Sequence, residues 1–183
     1  MRISQLQTCS GIAIVPVAVE HAAALAALVG QNREHLRHYL PGAIALSSPE
    51  AAQAHLQSAQ DRAARADVFE WHLFAGASLC GAVRLKHIDA EHRTAQIGYF
   101  LGHQFSGKGI ITSALGAVLD DCFTSLALNR IELRCAAGNT PSMRVAQKLG
   151  FQCEGILREA EFLHGAYVDH HVYGLLAREF QAR

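Results

Sequence analysis

The stretch HQFSGKGIITSAL, residues 103–115, places Gly107 and Gly109 one residue apart, just before apolar residues at helical spacing. Glycine has no side chain to hold a ligand off the backbone, and successive amides in such a turn form a concave set of donors. The first N–H groups of a helix add partial positive charge. The chemistry this favours is the holding of an anion, above all phosphate. A tight strand-to-helix turn with no ligand is the competing reading of the two glycines alone. Two familiar phosphate motifs do not fit. A Walker loop needs G-x-x-x-x-G-K-[ST] and a dinucleotide fingerprint needs G-x-G-x-x-G, whereas Gly109 is followed by Ile110, Ile111 and Thr112. Nucleotide hydrolysis and nicotinamide chemistry are not indicated.

Other reactive side chains narrow the field. Eleven histidines invite a metal reading, but the pairs His35/His38 and His170/His171 lack the H-E-x-x-H spacing or flanking cysteines of a metal site. Surface positions explain them, and no metal is expected. The five cysteines, Cys9, Cys80, Cys122, Cys135 and Cys153, are odd in number and form no C-x-x-C pair. That pattern predicts reduced thiols, mostly packed in the core of a cytoplasmic protein. The amino-terminal apolar run is short and broken by Pro16, a poor signal peptide, and no run approaches the ~20 apolar residues of a membrane span. Sixteen Lys and Arg balance sixteen Asp and Glu, which argues against broad binding to nucleic acid or a membrane surface.

The elements that must position the loop follow from periodicity. A chain of 183 residues is expected to form a single domain over 1–183, burying roughly 70% of the surface of the unfolded chain. GIAIVPVAV (11–19) reads as a first strand. EHAAALAALVGQN and REHLRHYL (20–40) read as one helix broken near Gly30 or as two short ones, ended by Pro41 and Gly42. SSPEAAQAHLQSAQDRAARA (47–66) is a helix opened by a serine cap and Pro49. VFEWHLF (68–74) and LCGAVRLKHID (79–89) alternate as two antiparallel strands around Gly76, and TAQIGYFLG (94–102) is a third that runs straight into the glycine loop. Beyond it Ile110, Ile111, Ala114, Leu115, Val118, Leu119, Cys122 and Leu126 make a helical stripe over four turns. RIELRCAA (130–137) is a strand, TPSMRVAQKLG (140–150) a short helix ended by Gly150, and FQCEGILREAEF with AYVDHHVYGLLA a closing antiparallel pair. The order describes an α+β fold around one mixed sheet.

These residues resemble the GNAT acetyltransferases, whose cofactor loop reads [QR]-x-x-G-x-[GA]. Here it stands as Gln104, Phe105, Ser106, Gly107, Lys108 and Gly109. The strand that follows leads to N-x-x-[SA] and G-F, present as Asn139, Ser142, Gly150 and Phe151. IGYFLG before the loop, LNRIELRCAAGNTPSMRVAQKLGFQCEG after it and the tail REAEFLHGAYVDHHVYGLL look like the RimJ/RimL branch, which acetylates amino termini of ribosomal proteins. The resemblance spans most of residues 10 to 177. It implies a GNAT-like, mostly antiparallel sheet of six to seven strands flanked by helices, with acetyl-CoA as co-substrate. The amides from Ser106 to Ile110 would hold pyrophosphate, Gln104 would shape the loop, and Lys108 would either add charge or stand solvated. Phe100 and Leu101 match the splayed strand that pairs with pantetheine and offers an N–H to the thioester oxygen, and Asn139 and Ser142 would contact the pantetheine arm and the sulfur end.

Acetyl transfer needs a neutral amine, a group to take its proton and a group to protonate the leaving thiolate. The tyrosine that many relatives use as the acid falls at Ala146 here. The RimL-like pattern offers Ser142 for the thiolate and Glu161 as base, directly or through water. A first-turn role for Ser142 and a solvated position for Glu161 are the alternatives. Cys135 reads as an interior cysteine, with a place near the cofactor sulfur as the alternative, and Trp71 as core, with the acceptor groove as the alternative. Asn32, Arg33, Arg37, His38 and Tyr39 fall in the region that shapes the acceptor pocket, where basic groups would suit an acidic peptide; a solvated helix face is the other reading. The leading reading is an N-acetyltransferase acting on the α-amine of a protein or peptide, ribosomal proteins among them. Small amines such as amino acids, polyamines or antibiotics, and a non-catalytic acyl-CoA-binding module, are the alternatives. A homodimer is compatible with either enzymatic reading.

Overall fold

The structure is a computed structural model that describes residues 3–8 and 11–182, so Cys9 lies outside the described residues. From the amino end, β1 (Leu6–Gln7) and β2 (Ile12–Pro16) precede α1 (Ala22–Gln31), α2 (Arg33–Arg37), a 3₁₀ segment over Pro41–Ser47 and α3 (Pro49–Ala64). Next come β3 (Phe69–Ala75), β4 (Ser78–Asp89), β5 (Thr94–Leu101) and α4 (Ile110–Thr124). The chain closes with β6 (Arg130–Ala136), α5 (Thr140–Lys148), β7 (Gln152–Leu163), β8 (Ala166–Leu176) and α6 (Ala177–Gln181). The strands form one sheet in the order β1-β2-β3-β4-β5-β6-β8-β7, antiparallel throughout except for the β5–β6 pair. This is the expected α+β architecture. The strand beyond the six or seven anticipated is β1, whose two residues are too few to show a period.

Local chemistry accounts for the helix ends. Ser48 Oγ accepts from the Ala51 N–H at 3.2 Å, and Pro49 occupies the first turn of α3, where its missing N–H costs nothing. The break between α1 and α2 falls at Asn32 rather than Gly30. The buried Asn32 side chain donates to the Leu28 carbonyl at 2.8 Å and accepts from the His103 N–H at 2.7 Å. It therefore ties this helical segment to the chain entering the glycine loop and does not line an acceptor pocket.

Two cores hold the sheet. On one, Ile14, Trp71, Leu73, Val83, Leu85, Ile97, Ile131 and Leu133 pack with the α4 stripe of Ala114, Leu115, Val118, Leu119 and Cys122. Trp71 is fully buried there. Ile111, assigned to the same stripe by spacing, is only partly buried and lines a cavity. On the other, Leu25, Leu28, Val29, Leu56 and Ala59 of α1 and α3 pack with Val17 and Leu79. Alternation along β3 sends Glu70 and His72 away from the Trp71 side. Glu70 is held by His55 at 3.1 Å and Arg84 at 3.0 Å. Burial raises its pKa, but those two partners outweigh it and keep the carboxyl below its ordinary value. Cys80, Cys122 and Cys135 are buried free thiols and Cys153 is an exposed one.

Candidate active site

The sheet opens at its one parallel pair. β5 meets β6 only over Thr94–Ile97 against Arg130–Leu133. Beyond that point β5 runs beside β4 alone and β6 pairs with β8, so Gly98–Leu101 keep a free backbone edge on the β6 side. The closeness of β4 explains Gly81: a Cβ there would stand 2.3 Å from the Phe100 carbonyl oxygen.

The glycine loop continues from this free edge through a 3₁₀ turn at His103–Phe105. Gly107 and Gly109 have φ of 76° and 75°, left-handed values that disfavour any side chain, and Gly109 is the residue from which α4 starts. No atom lies within 4 Å of a Cβ built at either position. The backbone angle, not crowding, demands glycine, and the space before it is open. A cavity of about 370 Å³ is lined by Ser106, Gly107, Gly109 and Ile110 at one end and by Tyr99, Asn139 and Ser142 at the other, with Phe100 and Leu101 along its wall. Gln104 and Lys108 do not line it; the Lys108 ammonium sits 6.0 Å over the Phe105 ring.

Ser142 is the node of the arrangement. Asn139 caps α5 by accepting from the Ser142 N–H at 3.2 Å, and this fixes the serine in the first turn. Its Oγ lies 2.8 Å from the Tyr99 hydroxyl and 3.2 Å from the Cys135 Sγ. Burial pushes the Tyr99 phenol well above its ordinary pKa and the Cys135 thiol up as well, each opposed by its bond to Ser142. Both groups keep their protons near neutral pH. Ala146, where many relatives carry the acid, is fully buried. A phenol reaches Ser142 from β5 instead. Sequence reasoning missed Tyr99; its signal was a polar-tipped aromatic two residues beyond Ile97, on the face that the open strand turns toward α5.

A second cavity, of about 440 Å³, shares Tyr39, Leu40, Tyr99, Asn139 and Ser142 with the first. It extends past Gln96 and Arg134 to Glu161 and His170. Glu161 Oε2 is 3.0 Å from His170 Nε2, so His170 is no ordinary surface histidine; its side chain is 17% exposed. Tyr39 donates to the Gly138 carbonyl at 2.6 Å and closes one wall. Arg33, Arg37 and His38 are absent from the lining; Arg37 pairs with Glu34 at 3.3 Å, and the His38 carbonyl accepts from His164 at 3.1 Å. Among the described residues no group of three or more His, Cys, Asp and Glu is placed to hold a metal, and no helix is long and apolar enough to cross a membrane.

A glycine turn at a helix start, a splayed parallel pair and a cavity ending at a part-buried hydroxyl pair have the form of a donor site for an acyl-CoA-dependent transferase. The family model of the acetyltransferase (GNAT) domain matches residues 12–152, and the chain belongs to the GNAT acetyltransferases. The chain is 35% identical over 161 residues to the N-acetyltransferase YdaF of Bacillus subtilis (strain 168), with 86% of each chain covered. It is 32% identical over 157 residues to the ribosomal-protein-serine acetyltransferase of Escherichia coli (strain K12), covering 86% of this chain and 88% of that one. The solved structure of Mycobacterium smegmatis RimJ in complex with CoA-disulfide superposes with a TM-score of 0.88 at 26% identity, covering 96% of this chain and 87% of the other. The protein is an N-acetyltransferase, with acetyl-CoA as the acyl donor of its class.

Proposed function

We propose that this enzyme acetylates the α-amine of a peptide or protein amino terminus, ribosomal proteins being the natural class. The observation that carries this reading is the meeting of two cavities at Tyr99 and Ser142, one running to the glycine cradle and the other to Glu161. The similarity to a ribosomal-protein-serine acetyltransferase supports it. Bound in the first cavity, acetyl-CoA supplies an activated thioester. The amides of Ser106–Ile110 hold its pyrophosphate, Asn139 and the free edge of Phe100 and Leu101 hold the pantetheine arm, and an N–H of that edge faces the thioester oxygen. Removing one such donor elsewhere costs about 3 kcal/mol. Ser142, backed by the protonated Tyr99, donates toward the departing sulfur, and Glu161 provides the basic end of the acceptor cavity. Gln104 shapes the loop from outside, and Lys108 adds positive charge near it.

The whole chain acts as a single domain in the cytoplasm, in keeping with its buried free thiols. For the assembly we propose a homodimer through the outer strand β7, which exposes Ile156, Leu157 and Phe162; light scattering at micromolar concentration reports it. The test of function is CoA release over peptides with free amino-terminal Ser or Ala, the same peptides with the α-amine blocked, free lysine and spermidine. The free peptides give the highest kcat/KM, and blocking abolishes turnover. Turnover of the blocked peptides or preference for spermidine refutes the reading.

A further inference from the structure

The carboxylate of the acceptor cavity does not stand alone. Strand β8 lies between β6 and β7 in the sheet, so a β8 side chain is one strand nearer to the Ser142 centre than one on β7. His170 is the cross-strand neighbour of Ala136, the last residue of β6, while Glu161 sits on β7 opposite Val168. A distortion of β7 brings them together. Between the pairs Leu157–His170 and Glu161–Val168, Arg158, Glu159 and Ala160 oppose Asp169 alone. Glu159 adopts a left-handed φ of 50°, and its N–H is pinned by the Asp169 carboxylate at 2.9 Å. Non-glycine residues held in that region store strain, and they concentrate at functional sites. The effect of this bulge is to turn Glu161 onto the face of His170, with Oε2 at 3.0 Å from Nε2.

The contact also decides the tautomer. A carboxylate only accepts, so Nε2 carries the proton and donates it to Glu161, and Nδ1 is left as the ring's lone-pair nitrogen. Arg134, which lines the same cavity, is bound to Glu132 at 2.7 Å. His171 shares none of this; its Nδ1 lies 3.9 Å from the Cys153 Sγ and its ring 6.4 Å from that of Tyr173.

Building on the proposed amino-terminal acetylation, we infer that His170 is the group that takes the amine proton, with Glu161 as the positioning carboxylate behind it. As the C–N bond forms and the C–S bond breaks, the proton on nitrogen passes to His170 Nδ1, directly or through one water. The imidazolium is stabilised through its Nε2–H by Glu161 and returns the proton to solvent. An equivalent proton reaches the departing sulfur through the Ser142 hydroxyl, so the sum is amine plus thioester giving amide plus thiol. The histidine-carboxylate logic is that of a base held in one tautomer by an acid residue that does not itself accept the proton.

The test compares His170→Ala, Glu161→Gln and the double variant, using the best acceptor peptide and acetyl-CoA, with the thermal shift caused by acetyl-CoA measured alongside. His170→Ala lowers kcat by ~10²–10⁴-fold with the acetyl-CoA shift intact. Added imidazole restores part of the rate, and added formate does not. Glu161→Gln is slower than wild type but faster than His170→Ala, and the double variant is no slower than His170→Ala, because the pair acts as one unit. A purely structural histidine would not be rescued by imidazole. The inference is overturned if His170→Ala keeps wild-type kcat, or if Glu161→Gln is the slower single variant and formate alone rescues. Failure of the wild type to turn over any free peptide, with the acetyl-CoA shift present, would instead overturn the acceptor assignment on which the inference rests.

Discussion

The buried histidine of β3 makes acid stability a quantitative test of the structure. His72 is fully buried. Its Nδ1 lies 3.0 Å from the Nδ1 of His21, which already accepts from the Ala18 N–H at 3.3 Å. His72 must therefore donate from Nδ1, and its Nε2 is a buried atom with no hydrogen-bond partner among the described residues. Protonation there puts a cation in the interior. Burial lowers the His72 pKa to about 4, against only partial compensation from the Glu70 charge. In the unfolded chain an imidazole titrates near ~6.5. The unfolded state thus takes up a proton that the folded state refuses, and stability is complete above about pH 6.5 and lost progressively as pH falls toward 4. The full interval is worth about 3 kcal/mol, of which about 2 kcal/mol is gone by pH 5. His21, lowered in its turn by burial, acts in the same direction. Urea unfolding at pH 7.5 and pH 5.0 measures the loss. His72→Gln keeps a donor for His21 but no titration, so its difference between the two pH values shrinks by about 2 kcal/mol. If the variant and wild type lose stability equally, within about 0.5 kcal/mol, the buried-imidazole reasoning is wrong.

Three further outcomes concern the site. Gly109→Asp leaves a folded protein destabilised by about 1–2 kcal/mol from the left-handed backbone, but removes the thermal stabilisation by acetyl-CoA, worth about 2.7 kcal/mol at a hundredfold excess over Kd; an unchanged thermal shift would place the pyrophosphate elsewhere. Ser142→Ala lowers kcat by ~10²-fold or more without loss of acetyl-CoA affinity. Adding Tyr99→Phe to it costs little further, because the two hydroxyls are joined at 2.8 Å; additive losses in kcat would show that they act independently. Gly81→Val drives its side chain into the Phe100 carbonyl, where a Cβ alone would approach to 2.3 Å. Steady-state kinetics should register this as a raised KM for acetyl-CoA, beyond a folding cost of about 1–3 kcal/mol in denaturant.

How much was legible before folding depends on how far each determinant acts along the chain. Gly107 and Gly109 announced a tight turn into a helix because a left-handed φ and a helix start are set within a few residues, and both are observed. The α4 stripe and the Ser48 cap are equally local, and the antiparallel closing pair needed only alternation and a turn. The break at Asn32 escaped because its cause is a hydrogen bond to His103, far along the chain. Tyr99 and Ser142 are 43 residues apart in sequence and meet only because β5 and β6 part after Ile97 and Leu133. Glu161 and His170 lie on a plain hairpin in the sequence, and no pattern shows that Glu159 will bulge or that β8 will insert between β6 and β7. The chain's own chemistry decides backbone angles, periods and caps, since those depend on neighbours within a turn. Which hydroxyl faces which serine, and which imidazole backs onto which carboxylate, is decided by strand order and register, because only the assembled sheet brings those distant side chains within hydrogen-bond reach.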